Sequence, residues 1–159
     1  VSVLDVVDLL AEISGIGRDA ARGGYSRRVF ESPERELLAW FTAHAEALGL
    51  DVSTDRNGNL WAWWGEPGPG AVGTGSHLDS VPGGGAYDGP LGVASALAAV
   101  SRLRDTDHRP AVPLAVVVFA EEEGARFGSA CLGSRLSAGA VDPESVLGLL
   151  DDRGLTLAD

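Results

Sequence analysis

The 159 residues contain no Lys, no Met and no Gln. Without Lys there is no Walker A loop and no Schiff-base or pyridoxal-phosphate chemistry. All 12 basic residues are Arg, and 23 acidic residues outnumber them to give a formal net charge of −11. That balance lacks the basic footprint that non-specific binding of nucleic acid or anionic membrane needs, so neither is expected as a partner. A single cysteine, Cys131, excludes an internal disulfide framework and a Cys-based zinc finger, and reads as a small buried apolar residue. Apolar runs such as Pro113 to Ala120 fall far short of the roughly 20 residues of a membrane span. Asp5 and Asp8 stand where a signal peptide would carry basic residues, which makes the cytoplasm the default location. The missing Met leaves Val1 as an alternative start or a trimmed end.

What is present is an ordinary globular composition, 45% hydrophobic and 22% charged, at a length suited to one domain. Residues 3–13 place Val3, Val6, Val7, Leu10 and Ile13 on one helical face. A Gly- and Arg-rich irregular stretch leads to Ser32-Pro33, a helix start, after which Leu37, Leu38, Phe41, Ala45 and Leu48 recur at helical spacing up to Gly49. His44 lies near that apolar face and reads as a core or boundary residue rather than a ligand. Asn57-Gly58 predicts a hairpin between 51–54 and 59–64, with Trp61, Trp63 and Trp64 packing on a sheet rather than forming a stacking platform. Ala71 to Gly75 reads as a short buried strand. A helix with Leu91, Ala94, Leu97, Ala98 and Leu103 inward follows Asp88-Gly-Pro90, and a polar connection spans 104–110. The β-branched run 113–120 is a strand covered on both faces, and Asp142-Pro143 opens a last helix to about Leu150. Buried strands joined through a helix predict an α/β layered fold with part of the sheet parallel.

Three polar clusters sit at the ends of these apolar elements: His77 with Asp79, Asp88, and Glu121-Glu122-Glu123. Sites in open α/β sheets form at the carboxyl ends of strands, so parallel neighbours would bring all three to one edge. Each has a plain explanation alone: a satisfied core histidine, a helix N-cap, a solvated acidic face. Together they suit a divalent metal with N/O ligands, such as Zn, Mn, Co or Ni. Asp79 is placed to accept the second N–H of His77, and one of two adjacent glutamates can ligate while the other acts as a general base.

Gly75-Ser-His-Leu-Asp-Ser80, Tyr87-Asp-Gly-Pro-Leu-Gly92 and Ala120-Glu-Glu-Glu-Gly-Ala-Arg-Phe127 resemble the N-carbamoyl-amino-acid hydrolase, allantoate amidohydrolase and β-ureidopropionase branch of the M20 metallopeptidase family. Leu132-Gly-Ser-Arg135 and Asp152-Arg-Gly-Leu-Thr156 are similar to it as well. The resemblance implies a three-layer zinc-peptidase-like catalytic domain with a mixed, largely parallel sheet. It implies two divalent metal ions, with His77 on one, Asp88 bridging and Glu123 on the second. It further implies Glu122 as the general base and Asp79 as the partner of His77, with Glu121 at a position not called essential. In that family a metal-bridged hydroxide attacks the ureido carbonyl of a small N-carbamoyl or ureido acid. Family members are more than twice as long, form homodimers through a lid domain, and add two further histidine ligands. His44 and His108 both precede the glutamates and do not match those positions. The resemblance therefore casts residues 1–159 as the N-terminal portion of the catalytic domain, with no second domain and no turnover alone. The same residues leave open a general M20 peptidase or aminoacylase, or a non-catalytic α/β module with a vestigial site.

Overall fold

A computed structural model describes residues 3–106 and 108–159. The reading of Val1 and the Asp107 step of the 104–110 connection lie outside the described residues. The first helix, α1 (Val6–Glu12), is capped by Asp5, whose Oδ1 accepts the N–H groups of Val7 at 2.8 Å and Asp8 at 3.3 Å. Leu9 and Ile13 form its buried stripe and Val7 faces solvent, so the expected face is rotated. Helix α2 (Ser32–Ala47) carries Pro33 in its first turn, with Glu31 rather than Ser32 at the N-cap position. It buries Leu37, Phe41 and Ala45 and stops at Gly49, whose φ of 70° is the left-handed turn a glycine gives at no steric cost.

Strands β1 (Asp51–Thr54) and β2 (Leu60–Trp64) form the expected antiparallel hairpin, from Asp51 opposite Trp63 to Thr54 opposite Leu60. Strand β3 (Val72–His77), helix α3 (Pro90–Asp105) and strand β4 (Leu114–Phe119) form a βαβ unit whose strands pair in parallel, from Val72 opposite Leu114 to His77 opposite Phe119. Ala115, Val116, Val117 and Val118 are all buried, as a β-branched central strand requires. Strand β3 is instead an exposed edge, because its glycines and Thr74 offer little to bury. Helix α3 turns Val93, Ala94, Leu97 and Val100 inward, while Leu91 is exposed. Two short helices follow, α4 (Leu132–Ser137) and α5 (Pro143–Val146). The latter is capped by Asp142 as expected but ends well before Leu150.

The expected largely parallel sheet is corrected. Its order is β1-β2-β4-β3, with β1–β2 and β2–β4 antiparallel and only β3–β4 parallel. Apolar periodicity marks a strand as buried but not the direction of its neighbour. The 65–71 connection leaves a gap one strand wide between β2 and β3, and β4 fills it. The helices α1, α2 and α3 share one core with Leu60, Ala62, Val116 and Val118 on a single face of the sheet. The other face bears Trp61 and Trp63 stacked at 5.5 Å, with Phe119 edge-on to Trp61 at 6.2 Å. Trp64 turns to the helix side, under the Arg104 guanidinium at 4.3 Å. Helices α1, α2 and α3 thus cover one face of the sheet. No helix among the described residues is long and apolar enough to cross a membrane.

Candidate functional site

The parallel β3–β4 pair delivers two chain ends to one sheet edge. His77 ends β3 opposite Phe119, which ends β4, and the three glutamates follow after Ala120. Asp88 enters from the loop before α3. That helix is capped at Gly89 rather than Asp88, so capping does not account for Asp88. Gly89 has φ 86°, and a Cβ there would come within 2.5 Å of the His77 carbonyl oxygen and 2.7 Å of its ring. Only glycine lets the Asp88 loop close over His77.

His77 is buried, with Nδ1 at 3.0 Å from the Asp79 carbonyl oxygen and 3.6 Å from the Asp79 carboxylate. The backbone carbonyl, not the side chain, is therefore the acceptor that orients the ring. Nε2 is turned toward Glu122 Oε2 at 3.4 Å and Asp88 Oδ1 at 3.8 Å. Burial disfavours the imidazolium, but Asp79 and Glu122 outweigh it and raise the His77 pKa to about 9. Acidic groups on both sides of the ring thus favour positive charge there, Asp79 most of all.

The Asp79 carboxylate is used elsewhere. Its Oδ1 accepts the Glu122 N–H at 3.2 Å and its Oδ2 the Glu123 N–H at 3.1 Å. It clamps the backbone of the glutamate pair beside His77. Burial and the nearby Asp88 charge push the Glu123 carboxyl up, and its Oε1 is buried with no hydrogen-bond partner. Cys131 is half-buried rather than a core residue, and its Sγ lies 3.5 Å from Glu122 Oε1.

Among the described residues, no three His, Cys, Asp or Glu side chains are already gathered tightly enough to hold a metal ion. The donor set still suits a divalent cation in kind: one imidazole nitrogen and three carboxylates, one with an unpartnered buried oxygen. His44 does not contribute. It sits on α2 with Nε2 2.7 Å from Glu12 and its ring edge-on to Trp40, the boundary role expected of it. His108 lies beyond the far end of α3, beside Trp64 and Arg104.

Sequence reasoning missed the supports. Asn59, read only as the first residue of the 59–64 strand, is fully buried. Its Oδ1 accepts the Ala120 N–H at 3.0 Å, and its Nδ2 donates to the Gly133 carbonyl at 3.1 Å and to Ser137 Oγ at 2.9 Å. It fixes the residue just before the glutamates. Glu34 is buried and accepts the Phe30 N–H at 3.1 Å. Burial raises its pKa against that hydrogen bond, and the Asp79 and Glu121 charges add to bring it to about 7. Arg126 ties the glutamate loop to the Val29 carbonyl at 2.9 Å and to the buried Asp151 at 3.1 Å. The available signals were a polar residue at the start of a strand pattern and an arginine just after the glutamate run, neither of which names a partner.

With this geometry in view, comparison with known proteins is informative. Residues 59–146 match the model of peptidase family M28. A ureidoglycolate hydrolase of Oryza sativa subsp. japonica is 35% identical over 96% of this chain and 31% of its own length. An N-carbamoyl-L-amino acid amidohydrolase of Geobacillus stearothermophilus is 38% identical over 94% of this chain and 37% of its own. The crystal structure of a hydantoinase/carbamoylase family amidase from Burkholderia ambifaria superposes with a TM-score of 0.88 at 36% identity, covering 98% of this chain and 39% of that one. The chain thus spans about two fifths or less of the length of these relatives. It belongs to peptidase family M28 by the model it matches, and its relatives over nearly its whole length are the M20 hydantoinase/carbamoylase amidases that its motifs resemble.

Proposed function

We propose that residues 1–159 form the N-terminal portion of the catalytic domain of an amidohydrolase. The substrate is a small N-carbamoyl amino acid or ureido acid such as allantoate, cleaved at its carbamoyl C–N bond. The observation that carries this reading is the meeting of His77, Asp88, Glu122 and Glu123 at the end of the parallel strand pair. The ureido and carbamoyl substrates named for the relatives support the substrate class. His77 would hold one divalent ion, Asp88 would bridge two, and Glu123 would hold the second. When bound, such ions supply Lewis-acid polarisation of the carbonyl and a water acidic enough to attack near neutral pH.

The chain's own contribution is positional and proton-transferring. Asp79 holds the Glu122 and Glu123 amides, so the two side chains leave a fixed backbone. Glu122, adjacent in the sequence but half-exposed, is free to take a proton from the attacking water and hand it to the leaving nitrogen. An N-carbamoyl amino acid cleaved in this way consumes one water and yields the amino acid, ammonia and carbon dioxide. The match to a peptidase family model favours one alternative, cleavage of peptide or N-acyl bonds by the same residues.

The test is hydrolysis of an N-carbamoyl amino acid, a dipeptide and an N-acetyl amino acid by the natural polypeptide that carries this segment. Glu122→Ala should abolish carbamoyl hydrolysis while bound metal survives. Activity retained in that variant would refute the base assignment, and turnover of the dipeptide alone would select the peptidase reading.

A further inference from the structure

We infer that Glu121 is a positioning residue for this site, an assignment that rests on the roles proposed for Glu122 and Glu123. The residue is 1% exposed. It has φ 50°, a left-handed conformation that costs a non-glycine residue energy unless its surroundings impose it. Its Oε1 accepts the Arg126 N–H at 3.0 Å and the Phe127 N–H at 2.6 Å. Those bonds draw the two ends of the 121–127 segment together, and the base and the ligand lie between them.

Among the described residues, the other hydrogen bonds on the segment run to residues outside it. Asp79 takes the amides of Glu122 and Glu123. The Cys131 and Leu132 N–H groups take the carbonyls of Glu122 and Glu121 at 2.6 and 3.1 Å. Gly124, at φ 65°, packs so closely on Ala130 that a Cβ would meet its nitrogen at 2.5 Å. Arg126 is held by Asp151 and Val29. Among the described residues the Glu121 side chain is the one link from the start of the segment to its end.

Hydrophobic burial does not explain this arrangement. A carboxylate taken out of water is costly, and Glu121 Oε2 has no partner to offset the cost. Two short bonds to backbone amides define the loop instead. Losing them would leave two N–H groups unpaired and let the left-handed residue relax, carrying Glu122 away from His77.

The test compares wild type with Glu121→Ala, Glu121→Gln and Glu121→Asp, using Mn2+ and Zn2+ calorimetry and thermal unfolding, with His77→Ala as the site control. Supporting partners of metal ligands are worth roughly 10–100-fold in metal affinity. Glu121→Ala is expected to weaken binding at least about tenfold. Glu121→Gln keeps an oxygen at the Oε1 position and is expected to stay within about threefold of wild type. If the alanine variant does not fold, Glu121→Asp, which withdraws the acceptor by one methylene, carries the same tenfold expectation. Affinity in Glu121→Ala or Glu121→Asp equal to wild type overturns the inference, as does a Gln variant as weak as Ala. A different result, wild-type binding unaffected by His77→Ala, would instead refute the metal-site reading itself. In the natural polypeptide Glu121→Ala and Glu121→Asp should lower kcat and leave KM unchanged, since the buried Glu121 side chain is proposed to act through Glu122 and Glu123.

Discussion

One sheet holds two strand pairs with opposite construction. The β1–β2 hairpin is local, antiparallel and turn-encoded, and its tryptophans pack on the sheet. The β3–β4 pair is parallel, needs the whole of α3 to connect it, and has a glycine-rich edge strand with little to bury. Chemistry collects on the second pair because only parallel neighbours finish at the same edge. The antiparallel half is not idle, however. Asn59 reaches from the start of β2 to the end of β4 and holds the Ala120 amide.

The largest effect should come from breaking that bridge. Asn59→Ala leaves the Ala120 N–H unpaired and removes a second bond at the Gly133 carbonyl, and is expected to cost about 3 kcal/mol, the upper end of the roughly 1–3 kcal/mol for a stranded buried group. Denaturant unfolding measures it, and a loss below about 1 kcal/mol would mean the two halves are independent. Gly89→Ala combines a strained φ with a clash on His77 and should lose about 2 kcal/mol together with the closed Asp88 loop. Thermal unfolding and metal titration of that variant should fall together; a change in only one would separate loop from ligand.

Asp79→Ala leaves the hairpin untouched and should weaken metal binding by roughly 10–100-fold. Calorimetry with unchanged affinity would remove Asp79 from the site. Glu34 gives a pH signature. Its folded pKa of about 7 lies above the ordinary 4.5, so the folded state holds the proton more tightly than the unfolded chain. Its contribution is fully present below about pH 4.5 and is lost as pH climbs through 7. Glu34→Gln should flatten the stability slope across that window, and an unchanged slope would show another group responsible. The smallest effect is expected from Arg153→Ala. That side chain is more than half exposed in its pairs with Glu31 and Asp151, so the change should cost no more than about 1 kcal/mol.

Much of the fold was legible in short-range patterns. Pro33 and Gly49 bound α2, Asn57-Gly58 marks the hairpin, and the run ending at Phe119 reads as a buried strand. Helix faces were less secure. Val7 and Leu91 fit an inward stripe by spacing yet lie in solvent, because the packed face is set by the sheet beneath and not by the helix alone. Residues 71–75 read as buried from composition, but an edge strand has a neighbour on one side only.

The site divides the same way. As candidates, His77, Asp79, Asp88, Glu122 and Glu123 could be picked out from residue type and position at the ends of apolar elements. The work of Asp79 could not, because its carboxylate bonds amides 43 and 44 residues away. Nor could Glu121, an apparently spare member of an acidic run, whose burial depends on Arg126 and Phe127 folding back over it.

By itself, then, the sequence determined the chemistry on offer: no lysine, a histidine and a set of carboxylates, each placed where an apolar segment ends. Side-chain type and local periodicity are properties of the chain, and no partner is needed to read them. Only the tertiary structure decided that β4 enters between β2 and β3, which strands run parallel, and which carboxylates bond distant backbone amides. Those outcomes depend on which distant segments close over one another, and hydrogen-bond partners far apart in the chain are chosen only when the sheet assembles.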